Sequence, residues 1–414
     1  MYDLDKTIKE AFALLMSMPD VSRGLSFIEQ DQTQAIQDQK AMVIIEAPTF
    51  GEAPRALDYS ARLKALGLTN VHIDRHGNAL ATRPGQGAGP VILLEAHLDT
   101  VFPIGTDVTP VERDGKIFAP GICDDTRGLA TVLSVVRAFN ATGIATQGDI
   151  IFAGTVAEEG MGSMRGMQGL LADHPEIAAA ISIDGGGCDS IIYQATGMRN
   201  YEVTYRGPGG HAYVAFGLPS PVHAAGRAIA KLSDLRPPAD PKTTFTVSLV
   251  AGGHQIHAIA ERAQFSINMR SDDQGELERL GAAALQCFAA GATEENERWG
   301  QQAVTVEYEV VLDVRAGTQP AQSPIVQAAW AATELVGVAP RLVAGGCTNS
   351  NAPISLGVPA VTLGRGGREG GIHSLAEWFD PTEAYRSPQK SFLLLLALAG
   401  VCGVTEPVMA RVPS

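Results

Sequence analysis

The chain has 414 residues, 45% hydrophobic and 18% charged, which is ordinary globular composition at a length that exceeds one core, so two domains are expected. The 45 Asp plus Glu against 31 Lys plus Arg give a formal charge of -14, a field that disfavours nucleic acid and anionic membranes as partners. Five scattered cysteines, Cys123, Cys188, Cys287, Cys347 and Cys402, form no disulfide framework or paired zinc-finger spacing and point to a cytoplasmic thiol state.

The segment from Met1 to Met18 mixes Asp3, Asp5, Lys6 and Glu10 among apolar residues and lacks the basic start and apolar core of a signal peptide. Pro48 and the stretch from Gly51 to Pro54 break the chain before a helical pattern over 56–66. Strands are predicted at 71–74 and, after the His76-Gly77-Asn78 turn, up to Arg83. From Val91 onward strands and helices alternate: strand 91–96, helix 128–139, strand 149–156, helix 164–171 and strand 179–183. That rhythm is what α/β folds produce, with chemistry at the carboxyl ends of strands.

After residue 197 the pattern changes. Strand 200–206, helix 221–232, strands 243–250 and 263–270, helix 274–289 and strand 304–312 give the β-α-β-β-α-β order of a ferredoxin-like unit. The expected division is 1–197 and 313–414 for a catalytic domain interrupted by an inserted domain at 198–312. The first pattern then resumes with helix 323–335, a short strand 341–343, strand 360–363 and a final helix from Ser387. The apolar run 392–401 is too short to span a bilayer and reads as a buried helix.

Five segments offer metal donors: His97 with Asp99, Asp124-Asp125, Glu158-Glu159, Asp184 before Gly185-Gly186, and His373 after Gly371. Asp99, Glu158 and Asp184 follow apolar runs, so strand ends present them to one region. Gathered carboxylates repel one another unless a cation joins them, and histidine with carboxylate suits zinc, with cobalt or manganese as alternatives. A centre of two divalent ions sharing a carboxylate fits this inventory. Cys123, beside Asp124, is a rival ligand.

The chain resembles the co-catalytic zinc peptidases and deacylases, a superfamily that includes bacterial tripeptidase T, glutamate carboxypeptidase and acetylornithine deacetylase. The matching pieces are LEAHLDTVFP at 94–103, GICDDTRG at 121–128, VAEEGMGS at 156–163, SIDGGG at 182–187, GGHA at 209–212 and GGIHSLAEW at 370–378. The Glu-Glu-Gly-Met-Gly and Asp-Gly-Gly segments look closest to the tripeptidase T-like branch. The resemblance implies a zinc-exopeptidase-like mixed-sheet catalytic domain and a homodimer through the inserted domain. By the same resemblance His97, Asp124 and Asp184 hold one metal, and Asp124, Glu159 and His373 the other. Asp99 then orients His97, Glu158 is the general base, and the Asp124–Asp125 peptide is cis. His211 helps to stabilise the oxyanion, supplied by a partner subunit in dimeric relatives.

Arg270, ending its predicted strand, would be a fork for a substrate carboxylate, and the Gly364 to Gly370 loop is a second possible substrate contact. The chain departs from the pattern at three places. His257 stands where relatives carry Asn, Asn268 where they carry Asp before the arginine, and Asn349 where they carry Asp in a glycine-rich segment. These positions touch surfaces used to hold substrate, so His257 and Asn349 join Arg270 as expected substrate contacts. The expected reaction is hydrolysis of the amide bond of di- or tripeptides as an exopeptidase. Removal of an acyl group from an amino acid, or carboxypeptidase action, is the alternative.

Overall fold

A computed structural model describes residues 2–413. Two compact units divide the chain: one runs up to Ala195 and resumes at Thr318, and the other is Thr196–Gly317.

The larger unit is built on an eight-stranded mixed sheet. Its order is Thr69–Ile73, Ala79–Arg83, Ile150–Thr155, Val91–His97, Ile177–Ile183, Ala360–Leu363, Ser190–Ile192 and Arg341–Val343. The four strands from Ile150–Thr155 to Ala360–Leu363 run parallel, with His97 opposite Thr155, Leu94 opposite Ile181 and Leu363 opposite Ile183. They are almost continuously apolar because helices cover both faces. Ile92, Leu94 and Ala96 pack with Leu129 and Leu133 of helix Thr126–Thr142 and with Leu394 of helix Arg386–Ala399. Leu93, Ile151 and Ala180 pack on the other face with Met167 and Leu170 of helix Arg165–Asp173. Parallel strands in register end together, so the residues that follow them are delivered to one edge. His97, Glu158, Asp184 and Arg365 all lie at or just beyond these four ends.

A second, four-stranded sheet orders Arg368–Gly370, Trp378–Asp380, Lys116–Phe118 and Val111–Arg113. It brings the loop holding His373 beside the loop holding Asp124, two segments remote in sequence. None of these four short strands was expected from the sequence.

The N-terminal segment forms three helices, Lys6–Ser17, Pro19–Gln30 and Gln32–Val43. None of the three was predicted as a helix from the sequence. Gln32–Val43 reads QTQAIQDQKAMV, with little apolar periodicity, and much of its anchorage is ionic. The Arg137 guanidinium lies 2.7 Å from Asp31, which precedes this helix, and 2.8 Å from Asp38 within it. Among the described residues no helix is long and apolar enough to cross a membrane.

The smaller unit runs strand Gly197–Arg206, helix Pro221–Ser233, strands Thr243–Gly252 and Arg262–Ser271, helix Gln274–Trp299 and strand Thr305–Val314. Its antiparallel sheet orders Thr243–Gly252, Arg262–Ser271, Gly197–Arg206, Thr305–Val314. Alternate residues Tyr201, Val203 and Tyr205 share one buried cluster with Ala224, Ala228, Leu280 and Phe288 of the two helices. Helix Gln274–Trp299 runs well past its predicted end at Ala289. Gly291, a helix-weakening residue in isolation, lets this helix approach Pro221–Ser233 closely, since a Cβ there would collide with the Ala224 carbonyl.

Candidate metal centre

His97 closes its strand and is buried. Its Nδ1 lies 3.0 Å from the Asp99 carbonyl oxygen, so an Nδ1–H tautomer donates there and turns the Nε2 lone pair toward Asp124 Oδ1, 2.9 Å away. The Asp99 carboxylate sits farther from His97 Nδ1, at 3.5 Å. Its oxygens accept the backbone N–H groups of Glu158 and Glu159, each at 3.0 Å, and the Thr49 hydroxyl at 2.9 Å. Burial alone would raise the Asp99 carboxyl, but His97 and these two N–H donors outweigh it and hold the group below the usual carboxylate range. The backbone of Asp99 therefore orients the imidazole, while its side chain fixes the Glu158-Glu159 turn.

Asp124 and Asp125 are joined by a cis peptide at the start of helix Thr126–Thr142. Asp125 caps that helix through Oδ1, which accepts from Gly128 N at 3.0 Å, and its Oδ2 accepts from His97 N at 3.1 Å. Asp124 is turned the other way, toward His97, His373 and Arg365. Burial opposes its charge, yet Arg365, His373 and His97 hold its carboxyl well below the ordinary value. The Asp124 loop is itself held by Glu377, whose buried carboxylate accepts from Gly121 N at 3.0 Å, Cys123 N at 2.8 Å and Asp124 N at 3.1 Å.

His373 Nε2 lies 2.9 Å from Glu159 Oε1 and 3.2 Å from Asp124 Oδ2. Those two carboxylates push its pKa up to about 10. Asp184, just beyond strand Ile177–Ile183, accepts from Arg365 Nη2 at 2.7 Å. Glu158 is buried and its carboxyl is pushed well above the ordinary range, by burial first, with Asp184, Glu159 and Asp99 adding against the opposing pull of His97.

Two sets of donor atoms cluster within 4.8 Å: His97, Asp124 and Glu159, and Asp124, Asp125 and Asp184. Asp125 spends both oxygens on backbone N–H groups, so it is a helix cap and a brace for His97 rather than a free donor. The remaining chemistry fits divalent ions. Two imidazole nitrogens face carboxylates at 2.9–3.2 Å, contacts that call for a shared proton or a cation between them.

Other expected site residues lie elsewhere. Asn349 is buried, donating from Nδ2 to Glu95 Oε2 at 3.0 Å and Thr155 Oγ1 at 2.8 Å, so the expectation that it touches substrate is corrected: it braces the sheet. Cys123 is also turned away, its buried thiol 3.2 Å from the Trp378 carbonyl, and burial pushes its pKa up, which removes it as a rival ligand. Within the Gly364 to Gly370 loop, Arg365 is buried against carboxylates and not offered to substrate. His211 and His257 belong to the smaller unit, where Gly210–His211 pairs with Ala258–Ile259 and Ala212 N donates to the His257 carbonyl at 2.9 Å. His211 Nδ1 accepts from Tyr213 N and Val214 N at 3.3 Å, which leaves Nε2–H as an outward donor. Arg270 is exposed on strand Arg262–Ser271, 3.3 Å from Asn268 Oδ1.

Glu377 and Thr49 are working residues that sequence reasoning missed, and Arg365, within the loop expected to meet substrate, has a role among the carboxylates that it did not show. Glu377 lay within a quoted motif, but nothing local distinguishes a carboxylate that braces a distant loop from a solvated one.

A succinyl-diaminopimelate desuccinylase from Leptothrix cholodnii is 30% identical over 199 residues, which cover 43% of this chain and 51% of that protein. One from Thiobacillus denitrificans is 28% identical over 244 residues, 53% of this chain and 61% of that protein. The chain spans about half the length of the curated relatives it matches. The crystal structure of aminopeptidase PepT from Bacillus cereus is similar in fold, with a TM-score of 0.74 at 24% identity over 88% of this chain and 97% of that one. Residues 93–396, which include every donor described above, match the sequence model of peptidase family M20/M25/M40, and the chain belongs to this family.

Proposed function

We propose that the chain is a metal-dependent hydrolase that cleaves the amide bond of a small N-acyl amino acid, with Glu158 as general base. The observation that carries this reading is the contrast within one dipeptide. Glu159 faces His373 among the donors, whereas the buried Glu158 carboxyl is hydrogen-bonded to none of them. A purely structural ion would need no such neighbour.

His97, Asp124 and Asp184 would hold one ion and Asp124, Glu159 and His373 the other, zinc suiting these donors best. When bound, the two ions supply polarisation of the amide carbonyl and a more acidic water. Glu158 takes a proton from the attacking water and returns it to the leaving amine nitrogen, and its raised pKa suits a group that carries a proton between two steps. His211, with Nε2–H free to donate, would serve the developing oxyanion. Arg270 would pair with a substrate carboxylate and His257 would add a hydrogen bond.

The names of the curated relatives favour acyl amino acids, which reverses the order expected from the sequence, where short peptides came first. Exopeptidase action, and a place in the tripeptidase T-like branch, have only the shared fold behind them. We read the smaller unit as ferredoxin-like and as the surface for a homodimer. Thr243–Gly252 is an edge strand whose Leu249 and Val250 are exposed, a liability that self-association would remove.

The test is a panel of N-succinyl and N-acetyl amino acids against di- and tripeptides, with zinc-reconstituted protein and Glu158→Ala as control. Acyl amino acids should turn over, and the variant should lose about 100-fold or more in kcat while retaining its zinc. Turnover of peptides alone would transfer the reading to an exopeptidase. Failure of every amide would sink the hydrolase assignment.

A further inference from the structure

We propose that Arg365 is a positioning residue that acts as a resident cation on the Asp184 side of the centre, making the two metal positions unequal and the Asp184-bounded one the weaker. The proposal rests on the two-ion reading above. The Arg365 side chain is 3% exposed and meets four carboxylates. Nη2 lies 2.7 Å from Asp184 Oδ1 and 3.3 Å from Asp124 Oδ1, Nε 3.3 Å from Asp125 Oδ1, and Nη1 3.3 Å from Glu369 Oε2. It thus touches every member of the donor set Asp124, Asp125 and Asp184, but only the shared Asp124 of the set His97, Asp124 and Glu159.

The backbone that carries this buried guanidinium is pinned on both sides. Arg365 N donates to the Gly185 carbonyl at 3.1 Å, and its own carbonyl accepts from Arg127 Nε at 3.2 Å. Gly364 lies so close to the Gly187 carbonyl that a Cβ would collide, and Gly366 and Gly367 follow with φ of +78° and +73°. A planar guanidinium held this way carries a permanent charge that cannot be titrated away. It keeps the carboxylates together before an ion arrives. It also repels an ion entering between Asp124 and Asp184, and it already occupies one Asp184 oxygen. On the other side, His373 brings an imidazole in place of a guanidinium.

The experiment titrates chelator-stripped full-length protein with zinc by equilibrium dialysis, counting bound metal by mass spectrometry, for wild type, Arg365→Lys, Arg365→Gln and Arg365→Met. Wild type should bind two ions in steps separated by about tenfold or more. The neutral variants should tighten the weaker step by about tenfold while moving the stronger one by less than about threefold. Arg365→Lys, which keeps the charge, should keep the separation. Two equal steps in wild type, or a weaker step that both neutral variants leave unchanged or weaken, would overturn the inference and leave the two-ion reading standing. Fewer than two ions bound by wild type would overturn both. Because the wild-type isotherm is decisive by itself, a variant that fails to fold does not shield the proposal.

Discussion

One carboxylate at Asp99 accepts two consecutive backbone N–H groups and a threonine hydroxyl, and the residues so held are the proposed base and its ligand neighbour. Asp99→Ala would leave both N–H groups buried without an acceptor, at about 1–3 kcal/mol each. The expected result is a fall in kcat larger than the change in zinc content, because Glu158 loses its fixed position while His97 keeps its carbonyl contact. Steady-state kinetics beside metal analysis check this, and a pure loss of metal would contradict it. The segments that carry the candidate donors were legible in the sequence, since Asp99, Glu158 and Asp184 follow apolar runs, whereas the assignment of individual residues to each ion came from the family resemblance. The roles of Arg365 and Glu377 were not legible, since their partners are reached only in three dimensions, across 181 residues to Asp184 and 253 to Asp124. Asn349 was placed by another route: it stands where relatives carry Asp, and that correspondence does not show that the side chain here is buried against Glu95 and Thr155.

Between elements, the smaller unit depends on Glu295, fully buried in helix Gln274–Trp299. It accepts from Ser220 N at 3.0 Å, Arg227 Nε at 3.1 Å and Trp299 Nε1 at 3.1 Å, and His223 Nδ1 lies 3.3 Å away. Burial opposes its charge, but the Ser220, Arg227 and Trp299 donors prevail and its pKa is lowered. A carboxyl with a depressed folded pKa stabilises the fold when ionised, so its contribution is complete above about pH 4.3 and fades as pH falls through the lower folded value. Glu295→Gln should therefore melt below wild type at pH 7, and the two should converge in strong acid. Thermal melts followed by circular dichroism test this, and a constant gap from pH 7 to about pH 2 would contradict it. Sequence periodicity located the six longer elements of this unit, whereas the two-residue strands Gly210–His211 and Ala258–Ile259 are too short to show any alternation. It failed for helix Gln32–Val43, whose few buried apolar residues, Ala35, Met42 and Val43, share the inner face with the polar Asp38 and Gln39 and so leave no clear period.

At the scale of the molecule, each unit has its own buried cluster, and the five proposed metal donors belong to the larger one. Stripping the ions should leave the gathered carboxylates short of compensation. An ion present at 1,000 times its dissociation constant contributes about 4 kcal/mol. Chelation should accordingly lower the midpoint of one calorimetric transition and leave another in place. A single transition that shifts as a whole would contradict independent folding of the two units. Length alone suggested two domains, but the strand order of the large sheet could not be read, because crossovers place strand Ala360–Leu363 beside Ile177–Ile183. The insertion has one further consequence. Strands Gly197–Arg206 and Thr305–Val314 lie side by side with Met198 opposite Val314, so the chain enters and leaves the smaller unit at neighbouring points, about 5 Å apart. All five donors lie outside Thr196–Gly317. The smaller unit is therefore a cassette joined through two adjacent points: remodelling it would leave the proposed metal donors and Glu158 in place while changing His211, His257 and Arg270, the groups proposed to meet the oxyanion and the substrate.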